Sequence, residues 1–456
     1  MPSAPALPRR AVLRQLVAGL VFAPARTPLL PEPSWIWSGA VTPTTATVIA
    51  GFLEPPPTIP MLLVDTAQAL GNPRRVEGFA TAAPSRRRDG RVVVQYRLDD
   101  LSPGTEYFTG FAAPSGTRAR FRTFRTGPFS FTAAFASCAG GTRVVPMSHV
   151  SNSGVFAAIA ALDPHVFIHM GDLHYYNING SSRSPAVIQR FRRGLDRVLA
   201  QENQALLYRR APLVYTWDDH DYGPDDADAR SGTRDAARGY YAVDVPHYPL
   251  PLSPAANGPI AQTFDIGRVR FVMTDVRSER LPPAAEMLGA RQKAWLLAEL
   301  DRAAADQVPL VVWVNPVPWI TADGDADGWG RYAAERAEIA GRITRLGLGS
   351  RLLMLSGDAH MLAFDDGRNN KHGGFIVAQA APLDRFLRHK GGPYSHEPPR
   401  QKNGQFGTLT VDDTGTTLTA TLQGHRYLGN GRGSAPVPET RLQVQCRGGT
   451  CRLVTT

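Results

Sequence analysis

Residues Val214 to Asp228 read VYTWDDHDYGPDDAD, which sets six aspartates (Asp218, Asp219, Asp221, Asp225, Asp226, Asp228) and one histidine directly after an apolar run. Carboxylates this dense repel one another, and bringing them out of water requires positive charge among them. A metal cluster is one source of that charge, and matching ligand types stand elsewhere in the chain. Other apolar runs end in Cys138 (FSFTAAFASC), in Asp172 and Tyr175 (HVFIHMGDLHYY), in Asn315 (PLVVWVN) and in Asp358 and His360 (SRLLMLSGDAH). Two cations a few ångströms apart can hold a phosphoryl oxygen, generate hydroxide from water and neutralise developing charge. Such a site needs a bridging carboxylate and further oxygen, nitrogen or sulfur ligands from separate strand ends. GDLHYY suits Asp172 and Tyr175 to one ion, and SGDAH directs Asp358 and His360 to one side. Asp218 and Asp219 are then ligands, with the remaining aspartates as loop polarity or support behind them.

The elements that must position these residues are legible in outline. From Phe129 onward, apolar strands alternate with helical stretches, the texture of a layered α/β fold whose strand-end loops carry chemistry. Before residue 126 the segments are short, alternating and punctuated by proline and glycine, which predicts a small β-sandwich with a packing or binding role. Within it LSPGTEYFTGF resembles the corner and strand of a fibronectin-type module.

With 456 residues, 43% of them hydrophobic, the chain can bury a full core. Its formal charge of +10 does not indicate a nucleic-acid partner, because the arginines are scattered and only four basic residues are lysine. The two local clusters, SRRRDGR (Ser85 to Arg91) and QRFRRGLDR (Gln189 to Arg197), read as solvated faces. At the N-terminus, Arg9-Arg10 precedes Ala11, Val12 and Leu13, an apolar segment interrupted by Arg14, and the small-residue site Ala23 to Ala25. This resembles a twin-arginine export signal over residues 1–25, too short to be a membrane anchor, with the mature chain beginning near Arg26. Cys446 and Cys451 flank a glycine turn that allows a hairpin disulfide in an oxidising compartment, which leaves Cys138 unpaired. On its own Cys138 is a small buried residue or a ligand.

The ordered set FASC, GDLHYYN, YTWDDHDYGP, IGRVRFVMTDVRSER, LGARQKAWLLAEL and LSGDAH resembles the D-type alkaline phosphatases, a branch of the metallophosphoesterases related to purple acid phosphatases. The likeness extends over about residues 33 to 425. It implies a four-layer αββα metallophosphoesterase core over 129–425, preceded by a fibronectin-like β-sandwich over 33–126 and followed by a C-terminal tail over 426–456. It further implies that Cys138, Asp172, Tyr175 and His360 surround a ferric ion, with Asp172 bridging to one or more divalent ions, calcium foremost, on Asp218, Asp219 and Asp358. His220 then protonates the leaving oxygen or binds phosphate, Arg277 resembles the family's phosphate-clamping arginine, and Asn315 is a further candidate ligand. The chain departs from many members after WDDH, where DYGPDDAD replaces an asparagine-rich stretch. A second acidic loop, Asp323 to Glu335, has Ala334 at the twelfth position and so does not match a calcium-binding EF-hand loop; it reads as a polar loop near the site mouth. His149, His169, His174 and His372 belong to no motif and are assigned to packing.

The expected protein is thus an exported, monomeric, metal-dependent phosphatase or phosphodiesterase acting on a small phosphate ester, with the twin-arginine machinery as its partner. The alternative is an exported phosphate-ester binding protein with a structural metal site and little turnover.

Overall fold

The structure, a computed structural model, describes residues 32–80, 91–112, 117–140, 149–325, 327–399, 401–429 and 435–454. The expected export signal lies outside them, as does all of SRRRDGR except Arg91.

The apolar runs become parallel strands buried on both faces, which is why they read as continuous hydrophobic sequence. In Phe131–Ala136, residues Phe131, Ala133 and Phe135 enter one core while Ala134 and Ala136 enter another, the two-residue period of a strand. Val166–Met170 divides the same way, with Val166, Ile168 and Met170 opposite Phe167. These two strands and Leu213–Thr216 pair in parallel at the centre of an eleven-stranded sheet. In the second, six-stranded sheet, Val269–Met273, Leu310–Asn315, Leu352–Ser356 and Ile376–Ala380 also run parallel. Leu310, Val312 and Val314 share a core with Ile168 and Phe135, whereas Val311 and Trp313 turn to the opposite face.

The two sheets therefore face each other across one apolar core. Helices Gly154–Ala161, Pro185–Leu199, Glu202–Arg210 and Arg234–Asp244 cover the outer face of the larger sheet. Gly289–Ala305 and Ala333–Arg345 cover that of the smaller. The result is a mixed α/β fold of several sheets.

The change of texture near residue 126 coincides with no break in the larger sheet. Trp35–Gly39 pairs in parallel with Leu213–Thr216 and carries Ala46–Phe52 and Val92–Leu98 beside it, so an edge that would otherwise stand open is continued. Arg91 fastens this region to the helix layer through Asp196 at 2.8 Å and Asp244 at 2.9 Å. A separate four-stranded sheet, Arg74–Val76, Leu62–Asp65, Glu106–Gly110 and Arg118–Arg122, packs against the same core. The chain after residue 426 also enters the larger sheet, as Val437–Arg447 and Thr450–Leu453, where Cys446 and Cys451 are disulfide-bonded. No described helix is long and apolar enough to cross a membrane.

Candidate functional site

Parallel pairing brings the C-terminal strand ends together, and the residues that follow them meet there. Cys138 follows Phe131–Ala136, Asp172 follows Val166–Met170, Asp218 and Asp219 follow Leu213–Thr216, Arg277 follows Val269–Met273, and Asp358 and His360 follow Leu352–Ser356. The loops bond to one another: Cys138 N–H donates to Gly171 O at 3.2 Å, Ala139 N–H to Asp172 O at 2.8 Å, and Asp358 N–H to Ser137 Oγ at 3.2 Å. Cys138, Asp172, Asp358 and His360 hold φ values of 64°, 57°, 60° and 50°. Each costs about 1–2 kcal/mol for a residue with a Cβ, and persists where the surroundings over-determine it. Gly171, at φ 89°, is required for closure, because a Cβ there would stand 2.4 Å from Asp218 Cβ.

Among the described residues, three sets of ligand atoms lie within 4.8 Å of one another: Cys138, Asp172 and His360; Asp172, Asp218 and Asp358; Asp172, Asp219 and His220. Asp172 belongs to all three, the position of a bridge. The Tyr175 hydroxyl donates to Asp172 Oδ2 at 2.7 Å and lies 3.2 Å from His360 Nε2. Arg277, 1% exposed, donates through Nε to Asp218 Oδ1 and places Nη2 3.5 Å from Asp219 Oδ1. Lys390 places its ammonium 2.8 Å from Asp358 Oδ1 and 2.6 Å from Asp327 Oδ2.

Burial sets the electrostatics. It pushes Asp172 well above the ordinary carboxylate range, and the negative charges of Asp219, Asp221 and Asp358 add to this. Asp218 is also pushed well up by burial, despite the opposing charge of Arg277, and Asp358 is raised despite Lys390. For Asp219 the order reverses: burial is outweighed by Arg277, His220 and the Asp226 N–H, and its carboxyl is held below the usual range. Burial and then Asp172 and Asp358 raise the Cys138 thiol, while burial and the nearby cations Lys390, Arg385 and Arg388 lower His360 to about 3. For Asp172, Asp218 and Asp358 the neighbouring cations do not offset burial, whereas for Asp219 they do. Asp172 Oδ1, Asp218 Oδ2, Asp358 Oδ2 and His360 Nδ1 are buried with no hydrogen-bond partner, which is costly unless something else coordinates them. A thiol, a phenol, an imidazole and four carboxylates in this arrangement fit a cluster with a softer or trivalent ion on one side and a hard divalent ion on the other.

The other expected residues are placed as follows. His220 lies against Tyr175 with ring centroids 4.2 Å apart and the rings tilted by 40°, contacts Asn177 Oδ1 through Nδ1, and has Nε2 3.4 Å from Asp225 Oδ1. Asn315 is tied into a tryptophan cluster: its amide nitrogen donates to Val317 O at 2.7 Å and its oxygen accepts from Trp329 Nε1 at 3.2 Å. Asp221 stands behind the site and accepts from Asp218 N–H at 2.7 Å, Leu173 N–H at 2.8 Å and Tyr215 hydroxyl at 2.6 Å. His169 and His174 are buried packing residues, and His149 Nδ1 bonds the Tyr175 carbonyl at 2.9 Å. In the acidic loop, Asp323 pairs with Arg336 at 2.5 Å, and the Asp327–Lys390 ion pair ties the loop to the site.

Sequence reasoning did not single out Lys390, Asp327, Asn177 or Arg385, whose guanidinium lies 4.1 Å over the Tyr175 ring. The available signal was RHKGG, one of only four lysines set beside a glycine pair.

A family model described as PhoD-like phosphatase matches residues 133–384, more than half of the chain. No curated protein matches it. Among solved structures, one titled "Structure of PhoD" superimposes with a TM-score of 0.63 at 15% identity, covering 94% of this chain and 93% of that one. A purple acid phosphatase from yellow lupin (Lupinus luteus) seeds gives 0.61 at 13% identity, covering 93% of this chain and 78% of its own. At these identities the likeness is one of fold, whereas the family model spans four of the strand ends that supply Cys138, Asp172, Asp218 and Asp358. The chain belongs to the PhoD-like phosphatase family.

Proposed function

We propose that this protein is an exported, metal-dependent phosphoesterase that hydrolyses phosphate monoesters or diesters, built on a four-layer core with a fibronectin-like sandwich on its N-terminal side. The observation that carries the reading is the meeting of seven ligand-type side chains from separate strand ends, with four of their buried polar atoms unpartnered. In this reading Cys138, Asp172, Tyr175 and His360 hold a ferric ion, and Asp172, Asp218, Asp219 and Asp358 hold one or more divalent ions, calcium foremost. When bound, such ions supply Lewis acidity toward water and the phosphoryl oxygens.

The chain's own residues do the rest. Arg277 uses Nε to orient Asp218 and keeps Nη1 without a protein partner, so it can meet a phosphoryl oxygen while fixed in place. His220 is held at Nδ1 by Asn177 and has Nε2 3.4 Å from Asp225 Oδ1; as the imidazolium, its Nε2–H is the group that would give a proton to the departing alkoxide. Lys390 adds a positive charge beside Asp358, where the ester's negative charge would otherwise meet only carboxylates. Asn315, bonded to Trp329 and Val317, supports the wall and is a weaker candidate ligand.

The test is hydrolysis of aryl phosphate monoesters and diesters by purified protein, with and without added calcium, alongside elemental analysis. Turnover with stoichiometric iron supports the reading. Tight binding of inorganic phosphate without turnover of any ester leaves a binding protein with a structural metal site. For export, Arg9-Arg10→Lys-Lys is expected to stop translocation, because the receptor reads the arginine pair and not its charge alone; undiminished export of the variant points to a general secretory signal.

A further inference from the structure

The segment that follows the strand Ile376–Ala380 is fastened to the loops on either side of Tyr175. Ala381 N–H donates to Met361 O and Leu383 N–H to Ser137 O, both at 3.1 Å, and Arg388 N–H donates to His360 O at 3.2 Å. Between these anchors stands Arg385, half-buried. Its guanidinium lies 4.1 Å from the centroid of the Tyr175 ring and 4.8 Å from that of Phe386. Phe386 meets His360 edge-on at 5.5 Å, so the clasp is fixed beside the Cys138, Asp172 and His360 set. Aromatic rings hold a guanidinium by its face, which leaves the N–H donors in its plane available. None of them is used. Among the described residues Arg385 donates no hydrogen bond and makes no ion pair, and its Nε is buried without an acceptor, a costly state unless a ligand supplies one. The adjacent Asp384 carboxylate feels the Arg385 charge without bonding to it and accepts from the Ser151 hydroxyl instead. Arg277 and Lys390, by contrast, both have carboxylate partners.

These cations divide the site between them. Arg277 and Lys390 stand beside Asp218 and Asp358, while Arg385 stands beside Tyr175 and His360. We infer that Arg385 is a substrate-binding residue that makes the site favour phosphate monoesters over diesters, its in-plane donors taking the phosphoryl oxygen nearest Tyr175. The inference rests on the phosphoesterase reading. A monoester dianion spreads two negative charges over three non-bridging oxygens, whereas a diester spreads one over two and carries an alkoxy group in the third place. A charged oxygen makes the stronger hydrogen bond to a guanidinium, so a cation at the third position discriminates between the two classes. Tyr175 and Phe386 preorganise it, and little side-chain freedom is left to lose on binding.

The test compares 4-nitrophenyl phosphate with methyl 4-nitrophenyl phosphate, which share a leaving group and differ at the third oxygen, on metal-loaded protein. Arg385→Met keeps a flexible apolar chain against the two rings and removes the donors. It should lower the ratio of monoester to diester kcat/KM by about tenfold to a hundredfold, the size of one charge-assisted hydrogen bond. Arg385→Lys, which keeps the charge but not the fork, should recover part of the ratio. Calorimetry with inorganic phosphate and with dimethyl phosphate gives a second readout: Arg385→Met should weaken the first by about tenfold or more and the second by less. An unchanged ratio in Arg385→Met, or an equal loss on both esters that follows lost metal content, makes Arg385 a prop for Tyr175 and overturns the assignment. If wild type hydrolyses neither ester but binds inorganic phosphate in an Arg385-dependent way, the assignment of Arg385 stands as an anion contact and the phosphoesterase reading falls. If there is neither turnover nor Arg385-dependent binding, both fall.

Discussion

Lys390 occupies the place where a divalent ion would compete for Asp358, and removing its charge separates the two roles. Its side chain is 17% exposed and that of Asp358 6%, with Asp327 one-third exposed on the other flank. Breaking a fully buried pair costs about 3–5 kcal/mol; the partial exposure of Lys390 and Asp327 lowers this to about 2–4 kcal/mol for Lys390→Met in ion-free protein. Unfolding entropy near 2.1 cal/mol/K per residue converts this, for 456 residues, to a Tm lower by about 2–4 °C. Saturating calcium should restore most of the loss, since the ion takes over the charge of Asp358 and no longer has to displace an ammonium from it. The calcium-induced rise in Tm is therefore expected to be larger in the variant than in wild type by that same amount, by calorimetry at pH 8 with and without chelator. Asp327→Asn, which loosens the lysine from its other anchor, should move in the same direction by less. Equal calcium-induced shifts in wild type and Lys390→Met would show that the lysine and the ion do not share Asp358.

Three further outcomes are expected. If Cys138 holds the proposed ferric ion, Cys138→Ser should remove stoichiometric iron and a visible charge-transfer absorption together with activity, whereas a merely buried cysteine would lose about 1–3 kcal/mol for the hydroxyl and leave metal content unchanged. His220→Ala should lower kcat on an alkyl phosphate by about 10² to 10⁴ with a smaller change in KM; full turnover on that poor leaving group would place the acid elsewhere. Burial lowers His169 from 6.5 to about 3 and His425 from 6.5 to about 4, so both fold as neutral imidazoles. A depressed pKa contributes stability that is complete above 6.5 and is lost as pH falls toward 4 and below, on the order of a few kcal/mol. His169→Leu should flatten that decline in urea titrations of chelated protein, and an unchanged pH profile would remove His169 as a cause.

What was legible in the sequence follows from how strands end. An apolar run buried on both faces keeps its character until the chain leaves the sheet, so Cys138, Asp172, Asp218 and Asp358 stood out as abrupt changes of chemistry. Residues that act from outside a strand end carry no such mark. Lys390 follows the strand Ile376–Ala380 by ten residues, and its partners Asp358 and Asp327 come from two other loops. Asn177 matters because the loop after Tyr175 meets the short helix Asp219–Tyr222, a tertiary contact with no local period. Of the arginines in Gln189 to Arg197, Arg190, Arg193 and Arg197 are exposed as the sequence reading has them, while Arg192 is half-buried against Asp244, a partner that helical spacing alone does not name. The joining of Trp35–Gly39 to Leu213–Thr216 was equally hidden, since pairing across 174 positions is set by which edge is open after both regions fold.

Charge placement within the site makes one contrast that ligand types alone do not. Asp218 and Asp219 have Arg277, and Asp358 has Lys390. Asp172 has no cation within ion-pair distance among the described residues; Oδ2 accepts from Tyr175 and Oδ1 has no partner. In ion-free protein Asp172 is therefore the least compensated carboxylate, and neutralising it should cost little. Asp172→Asn keeps the volume and suits φ 57°, which asparagine adopts more readily than most residues. It should leave ion-free stability unchanged or higher. Asp218→Asn should instead lower stability by about 2–4 kcal/mol, because Arg277 is then left with only Asp219 at 3.5 Å. Urea unfolding of both variants under chelation, then with iron and calcium restored, tests the contrast. Asp172→Asn should lose nearly all of the stabilisation that the ions give wild type, since its carboxylate joins all three ligand sets. A strongly destabilised ion-free Asp172→Asn, or one that still gains the full ion-dependent stability, would refute its role as the bridge.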